Sequence, residues 1–193
     1  MRAAEHALAD CVAPLAVFYQ NTGRQSEATE WLEPLTRCRM ANVKGRGWLS
    51  LGQLAEQSRD YAKAAGHYEH AIAVLPSDPR LRYLMHNNLG YSLNEMGSHK
   101  EAETNCRIAI EVAPDRYNAH KNLGVALEGQ GRWVEAAESY LKSATSRNRD
   151  VRPLMHLDRL VEEHPEVHET LPELADQMEV CRTEDEAARA RTH

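Results

Sequence analysis

The sequence predicts an all-α chain of stacked helical hairpins, and three observations carry that prediction. First, one pattern recurs. Leu51-Gly52, Leu89-Gly90 and Leu123-Gly124 stand in step with Ala64, Ala102 and Ala136, then with Ala71, Ala109 and Ala144, and less perfectly with Tyr68, Cys106 and Tyr140. Gly52 and Gly90 are 38 residues apart, and Gly90 and Gly124 are 34 apart. Second, apolar residues within each copy fall three and four apart, the spacing of one helix face. In the third copy Leu123, Ala126 and Leu127 lead to a turn signal at Gly129 to Gly131, and Ala136, Ala137, Tyr140 and Ala144 follow. Third, Pro76 and Pro114 close the first two copies, where a proline ring stops one helix before the next begins.

Leu-Gly, small, aromatic, small and proline in that order, at a period near 34, resembles the tetratricopeptide repeat family. The resemblance implies a right-handed α-α superhelix, a solenoid, in which one hairpin cannot bury its own apolar face and stacked hairpins share a core. It also implies a binding surface rather than a catalytic site. Read as a single repeat domain over 1–193, the chain has repeats at 45–78, 83–116 and 117–150. A degenerate repeat over 9–42 carries Leu15, Tyr19, Gly23, Ala28, Leu32 and Leu35 in the same frame. There Ala16 replaces the family's glycine, Pro14 falls inside the first helix, and no proline closes the unit. Residues 151–193 read as a cap. Leu154, Leu157, Leu160 and Val161 form an apolar stripe on a helix near 151–163, as the last helix of a repeat array needs. Leu171, Leu174 and Met178 suggest one more helix, and the acidic segment from Thr183 reads as frayed.

Four residues interrupt the period between the first two repeats. In Ser77-Asp78-Pro79-Arg80, Asp78 is placed as an N-cap and Pro79 as the first helical residue. The helix from Pro79 to about Met96 is then expected to run one turn longer than its neighbours and to present Arg80, Leu81, Arg82 and Tyr83 at the rim. That turn reads either as a contact for an acidic or aromatic partner segment or as a spacer, with the spacer preferred. Arg37, Arg39, Lys44 and Arg46 form a basic cluster placed in the loop that enters the first repeat.

Composition excludes several function classes. The net charge is −6, and it resides in 151–193, with 5 basic and 11 acidic residues. The preceding repeats are close to neutral, without the basic excess of a nucleic-acid-binding array. No apolar run approaches the roughly 20 residues of a membrane span. Cys11, Cys38, Cys106 and Cys181 are widely spaced and read as free thiols of a reducing, cytoplasmic compartment. Leu8-Ala9-Asp10-Cys11 is too poorly flanked for a lipoprotein cleavage box, though a leader could precede the sequence given. His67 and His70, and His164 and His168, lack the partners of a metal site and read as solvated. No cofactor and no catalytic residue are expected, since no phosphate loop or nucleophile motif is present.

The resemblance places the first helix of each hairpin on a concave groove. In equivalent places stand Arg46, Leu84 and Asn118; Leu49, Asn87 and Lys121; Ser50, Asn88 and Asn122; Gln53, Tyr91 and Val125; and Glu56, Asn94 and Glu128. Asn88 and Asn122 are expected to floor the groove, because an amide side chain offers a peptide backbone both donors and an acceptor. Asparagine before Leu-Gly is also able to bond between neighbouring helices. Leu49, Leu84 and Tyr91 are expected to supply apolar pockets, and Lys121 a charge. The family's two-carboxylate clamp for a chaperone tail is disfavoured, since Leu49, Gln53, Asn118 and Asn122 stand where it wants its amide and basic residues. The expected function is a non-catalytic protein-protein interaction module holding a peptide segment of a partner. The alternatives are a self-assembling scaffold, with homo-oligomers formed by groove-to-end contacts, and a small accessory chaperone for a secreted or membrane client.

Overall fold

The computed structural model describes residues 2–146 and 152–190. The expected ends of the third repeat at 147–150 and of the tail at 191–193 therefore lie outside the described residues. Every regular element described is a helix, and the fold class is an all-α helical-repeat solenoid. Two compact units share the chain, residues 1–96 and residues 97–193.

The first unit holds α1 (Arg2–Asn21), α2 (Gln25–Thr36), α3 (Ala41–Gln57), α4 (Tyr61–Ala73) and α5 (Pro79–Glu95). Each packs on the next, and α3 also packs on α5. Ala9, Val12 and Ala16 of α1 meet Leu32 and Leu35 of α2 and Val43 and Leu51 of α3. Leu49 and Ala55 of α3 join Ala64, Tyr68 and Ala71 of α4 and Leu81, Met85 and Leu89 of α5. Gly52 fixes the α3–α4 approach, because a Cβ there would stand 2.3 Å from Cε1 of Tyr68. Pro14 lies inside α1, which continues on both sides of it.

The second unit holds α6 (His99–Val112), α7 (Tyr117–Glu128), α8 (Trp133–Thr145), α9 (Arg152–Glu163), α10 (Glu166–Thr170) and α11 (Leu174–Ala190). Cys106 fills the aromatic place of its repeat and is fully buried in one cluster with Leu123, Leu127, Ala137 and Tyr140. Gly124 repeats the close approach, a Cβ there falling 2.5 Å from Cε1 of Tyr140. Leu154, Leu157 and Leu160 of α9 extend that cluster, and Val167, Leu174, Met178 and Cys181 continue it.

Turn chemistry explains the hairpins. Gly23, Gly97 and Gly131 have φ of +74°, +77° and +75°, the left-handed conformation that ends many helices. Arg59 takes the same place after α3 with φ +58°, where a side chain is strained. Asp78 caps α5 by accepting from the Arg80 N–H at 2.8 Å, and Pro79 opens the helix.

Four expectations change. Leu81 and Tyr83, expected at the rim with Arg80 and Arg82, are buried, and only the two arginines stand exposed. The helix α5 has 17 residues, more than the 12 of α7 but equal to the 17 of α3, because α3 starts upstream at Ala41. Lys44 and Arg46 therefore lie on α3 rather than in a loop, while Arg37 caps α2. At the other end α11 continues to Ala190. Buried Leu174, Met178 and Cys181 anchor its first half, and the following Glu and Ala residues are good helix formers.

Candidate functional site

The first helices of the hairpins, α3, α5, α7 and α9, carry the residues in question. In the first unit Leu49 is 4 % exposed and belongs to the core. Its expected role as a groove pocket is corrected, since packing against α4 and α5 consumes its side chain. Gln53, Leu84, Asn88 and Tyr91 are half-buried, and Arg46 is exposed. Asn87 is buried and donates through Nδ2 to Oδ1 of Asn88 at 3.0 Å.

Asn88 is tied to the repeat itself. Its Nδ2 lies 3.5 Å from Tyr68 Oη as a long donor contact. Tyr68 Oη in turn donates to Oε2 of Glu56 at 2.7 Å. Burial pushes the Tyr68 phenol well above its ordinary range, and the Glu56 carboxylate adds to that rise. Tyr91 meets Tyr61 edge-on, with ring centroids 6.0 Å apart. Burial raises its phenol too, followed by the hydrogen bond with Tyr61.

The second unit reproduces the Tyr–Glu bond. Tyr140 Oη donates to Oε2 of Glu128 at 2.7 Å. Asn122 is buried, and Asn118 and Lys121 are half-buried. Sequence reasoning missed three residues of α9 beside them. His156 stacks on Tyr140, with centroids 4.9 Å apart and planes 13° apart. Arg159 donates through Nη2 to Oε1 of Glu128 at 2.5 Å. Met155 is 71 % exposed. Burial lowers the His156 imidazole; Glu128 opposes this, while Lys121 and Arg159 add to it. The signal was present: a step of 34 from Lys121-Asn122-Leu123 gives Met155-His156-Leu157, so α9 continues the repeat frame.

These groups offer hydrogen bonds, cations and ring faces, without a nucleophile placed against a base. Among the described residues no three His, Cys, Asp or Glu side chains gather as metal ligands. His67 and His70 are not simply solvated: their rings lie 5.5 Å and 4.7 Å from Trp48 of α3. Among the described residues no helix is long and apolar enough to cross a membrane.

Hairpins joined by left-handed turns, with a glycine packed on a tyrosine ring, define a helical-repeat protein. Tetratricopeptide repeat models match residues 48–83 and 87–150, and the chain belongs to the tetratricopeptide repeat family. It is similar to the small glutamine-rich tetratricopeptide repeat-containing protein 2 of Mycosarcoma maydis, 31% identical over 91 residues, which are 47% of this chain and 25% of that protein. It is also similar to the photosystem I assembly protein Ycf3 of Acaryochloris marina, 33% identical over 86 residues, 45% of this chain and 51% of that one. The chain thus spans a quarter to a half of the length of these relatives. Among solved structures, MamA 41-end from Desulfovibrio magneticus RS-1 shares the fold, with a TM-score of 0.70, 17% identity, and 92% and 96% of the two chains covered.

Proposed function

We propose that this protein is a non-catalytic protein-protein interaction module that binds a peptide segment of a partner on the first helices of its repeats. The observation that carries this reading is that the first helices keep side chains only partly buried, or exposed, at several recurring places of the repeat. In the first unit Gln53, Asn88 and Tyr91 are half-buried and Leu84 packs along the edge of the core; in the second Asn118 and Lys121 are half-buried, and Met155 on α9 is exposed. Asn87 and Asn122 support them from buried positions, and Arg46 offers an exposed charge. Neutral hydrogen bonds of this kind contribute about 0.5–1.5 kcal/mol each, so a micromolar complex needs several together with apolar contacts. A relative named for assembly of a larger complex fits a partner-holding role.

The test is capture of partners from the native host by the wild type and two folded variants. Asn88→Ala with Asn122→Ala removes the amide pair. Gln53→Ala with Lys121→Ala removes more accessible groups and leaves the Tyr68 hydrogen bond intact. Loss of the same partner from both variants is expected. Retention of every partner by both would move the interface off these helices and refute the reading.

A further inference from the structure

The turn between α4 and α5 holds a feature the preceding reading does not use. Leu75 has φ +50° and is 81 % exposed. A left-handed residue after a helix is ordinarily glycine, and a large apolar side chain in water gains nothing from burial. The turn is nonetheless well tied. Asn42 Oδ1 accepts from the Ser77 N–H at 2.9 Å and the Asp78 N–H at 3.3 Å. Pro76 is buried. Leu75 is therefore presented by a fixed turn.

Its surroundings indicate what it meets. Beside it a notch of about 300 Å³ is lined by Ile72, Leu75, Pro76, Met85, Arg82 and His86. The apolar members make a pocket for one bulky side chain, and no carboxylate is among the lining residues. Arg80 and Arg82 stand exposed at the start of α5, and among the described residues neither has a carboxylate partner within salt-bridge distance. The nearby Asp78 carboxylate is engaged in capping the helix. On the other side of the last turn of α4, Val74 lines a larger groove that Lys44 also enters. The larger groove is also lined by Glu33 and Asp60, whereas the notch pairs its apolar wall with Arg82 and His86 and with no carboxylate. Arg82 and His86 are two residues from Leu84 and Asn88 respectively, which at 100° per residue puts them on nearly the opposite side of α5.

We propose that the α4–α5 turn is a second docking point, which takes an acidic peptide segment by burying one bulky apolar side chain against Leu75 and Met85 and pairing a flanking carboxylate with Arg82. It does not depend on the inner-helix reading.

The test is an amide-resolved NMR titration of the full chain with the capped peptide EEDFLDE. Two controls replace its acids by lysine or its Phe-Leu pair by serine. The expected result is saturable shifts at residues 72–86 for the first peptide alone, weakened severalfold by added salt. Leu75→Gly is expected to raise the melting temperature by relieving the strained turn and to weaken the peptide at least fivefold; Arg82→Ala is expected to weaken it similarly without change in melting. Absence of shifts up to millimolar peptide, equal binding of either control, shifts centred on Gln53, Asn88 and Tyr91 instead, or undiminished affinity in the stabilised Leu75→Gly chain would each overturn the proposal.

Discussion

Gly52 and Gly66 lie on consecutive helices of the same hairpin, and the same change at each is expected to move stability in opposite directions. Replacing a mid-helix glycine by alanine gains about 0.8–1.0 kcal/mol of helix propensity. At Gly66 no atom lies within 4 Å of the added Cβ, so Gly66→Ala keeps that gain. At Gly52 the added carbon would stand 2.3, 2.6 and 2.8 Å from three atoms of the Tyr68 ring. That ring is fully buried and its hydroxyl is held by Glu56, so it cannot swing aside freely. Overpacking of this kind costs about 1–3 kcal/mol, and the closeness of the contact puts Gly52→Ala at the upper end. The net loss is then about 1–2 kcal/mol. For a chain of this length 1 kcal/mol moves the melting temperature by about 2–4 °C. Far-UV circular dichroism should show Gly66→Ala melting about 2–4 °C higher and Gly52→Ala about 2–8 °C lower. In a Tyr68→Ala background the clash is gone, and Gly52→Ala should become stabilising by about 1 kcal/mol. A higher melting temperature for Gly52→Ala in the otherwise wild-type chain would sink the argument that glycine is there for close approach.

Three further outcomes are expected. Burial acts to raise the Glu103 carboxyl, but hydrogen bonds from Gln130, Arg107 and Arg132 outweigh it and hold it at about 2. A lowered carboxyl stabilises the fold above its unfolded value near 4.3, and that contribution is lost as pH falls toward 2; with solvent screening it is about 1 kcal/mol. Urea midpoints should drop through this window, and a Glu103→Gln chain whose midpoint falls just as steeply would refute the assignment. Tyr140→Phe removes the hydroxyl that donates to Glu128, leaves the carboxylate with Arg159, and should cost about 1.5–3 kcal/mol; an unchanged urea midpoint would contradict it. Burial pushes the Cys106 thiol up to about 12, so at pH 8 a thiol reagent should label exposed Cys11 at once and Cys106 only at the rate of unfolding. Labelling of Cys106 in the folded chain as fast as Cys11 would refute its burial.

The repeat frame was legible because each of its parts has one physical cause. Gly52 and Gly124 mark close approach, Tyr68 and Tyr140 mark the ring that fills the gap, and Asp78-Pro79 marks a helix start. These causes act within a hairpin, so a single sequence displays them in step. The side chains of the candidate site were less legible because one residue type serves two purposes. Asn88 was expected to face a ligand, and the structure commits one of its amide contacts to Tyr68. Leu49 was expected to line a pocket and lies in the core, because the same register faces different neighbours as the hairpins change. The period carried more information than was drawn from it. Continued by 34 residues it marks His156 in the place of Asn122, and the structure stacks that imidazole on Tyr140. Asn88 near Tyr68 and His156 on Tyr140 are the same contact made by different chemistry. That register therefore joins α5 and α9 to the tyrosine of the hairpin before each of them. The neighbouring places of Gln53, Tyr91, Lys121 and Met155 differ in charge and size from repeat to repeat, as residues do where packing does not dictate them. Partner specificity in this chain should follow those variable places more closely than the asparagine pair.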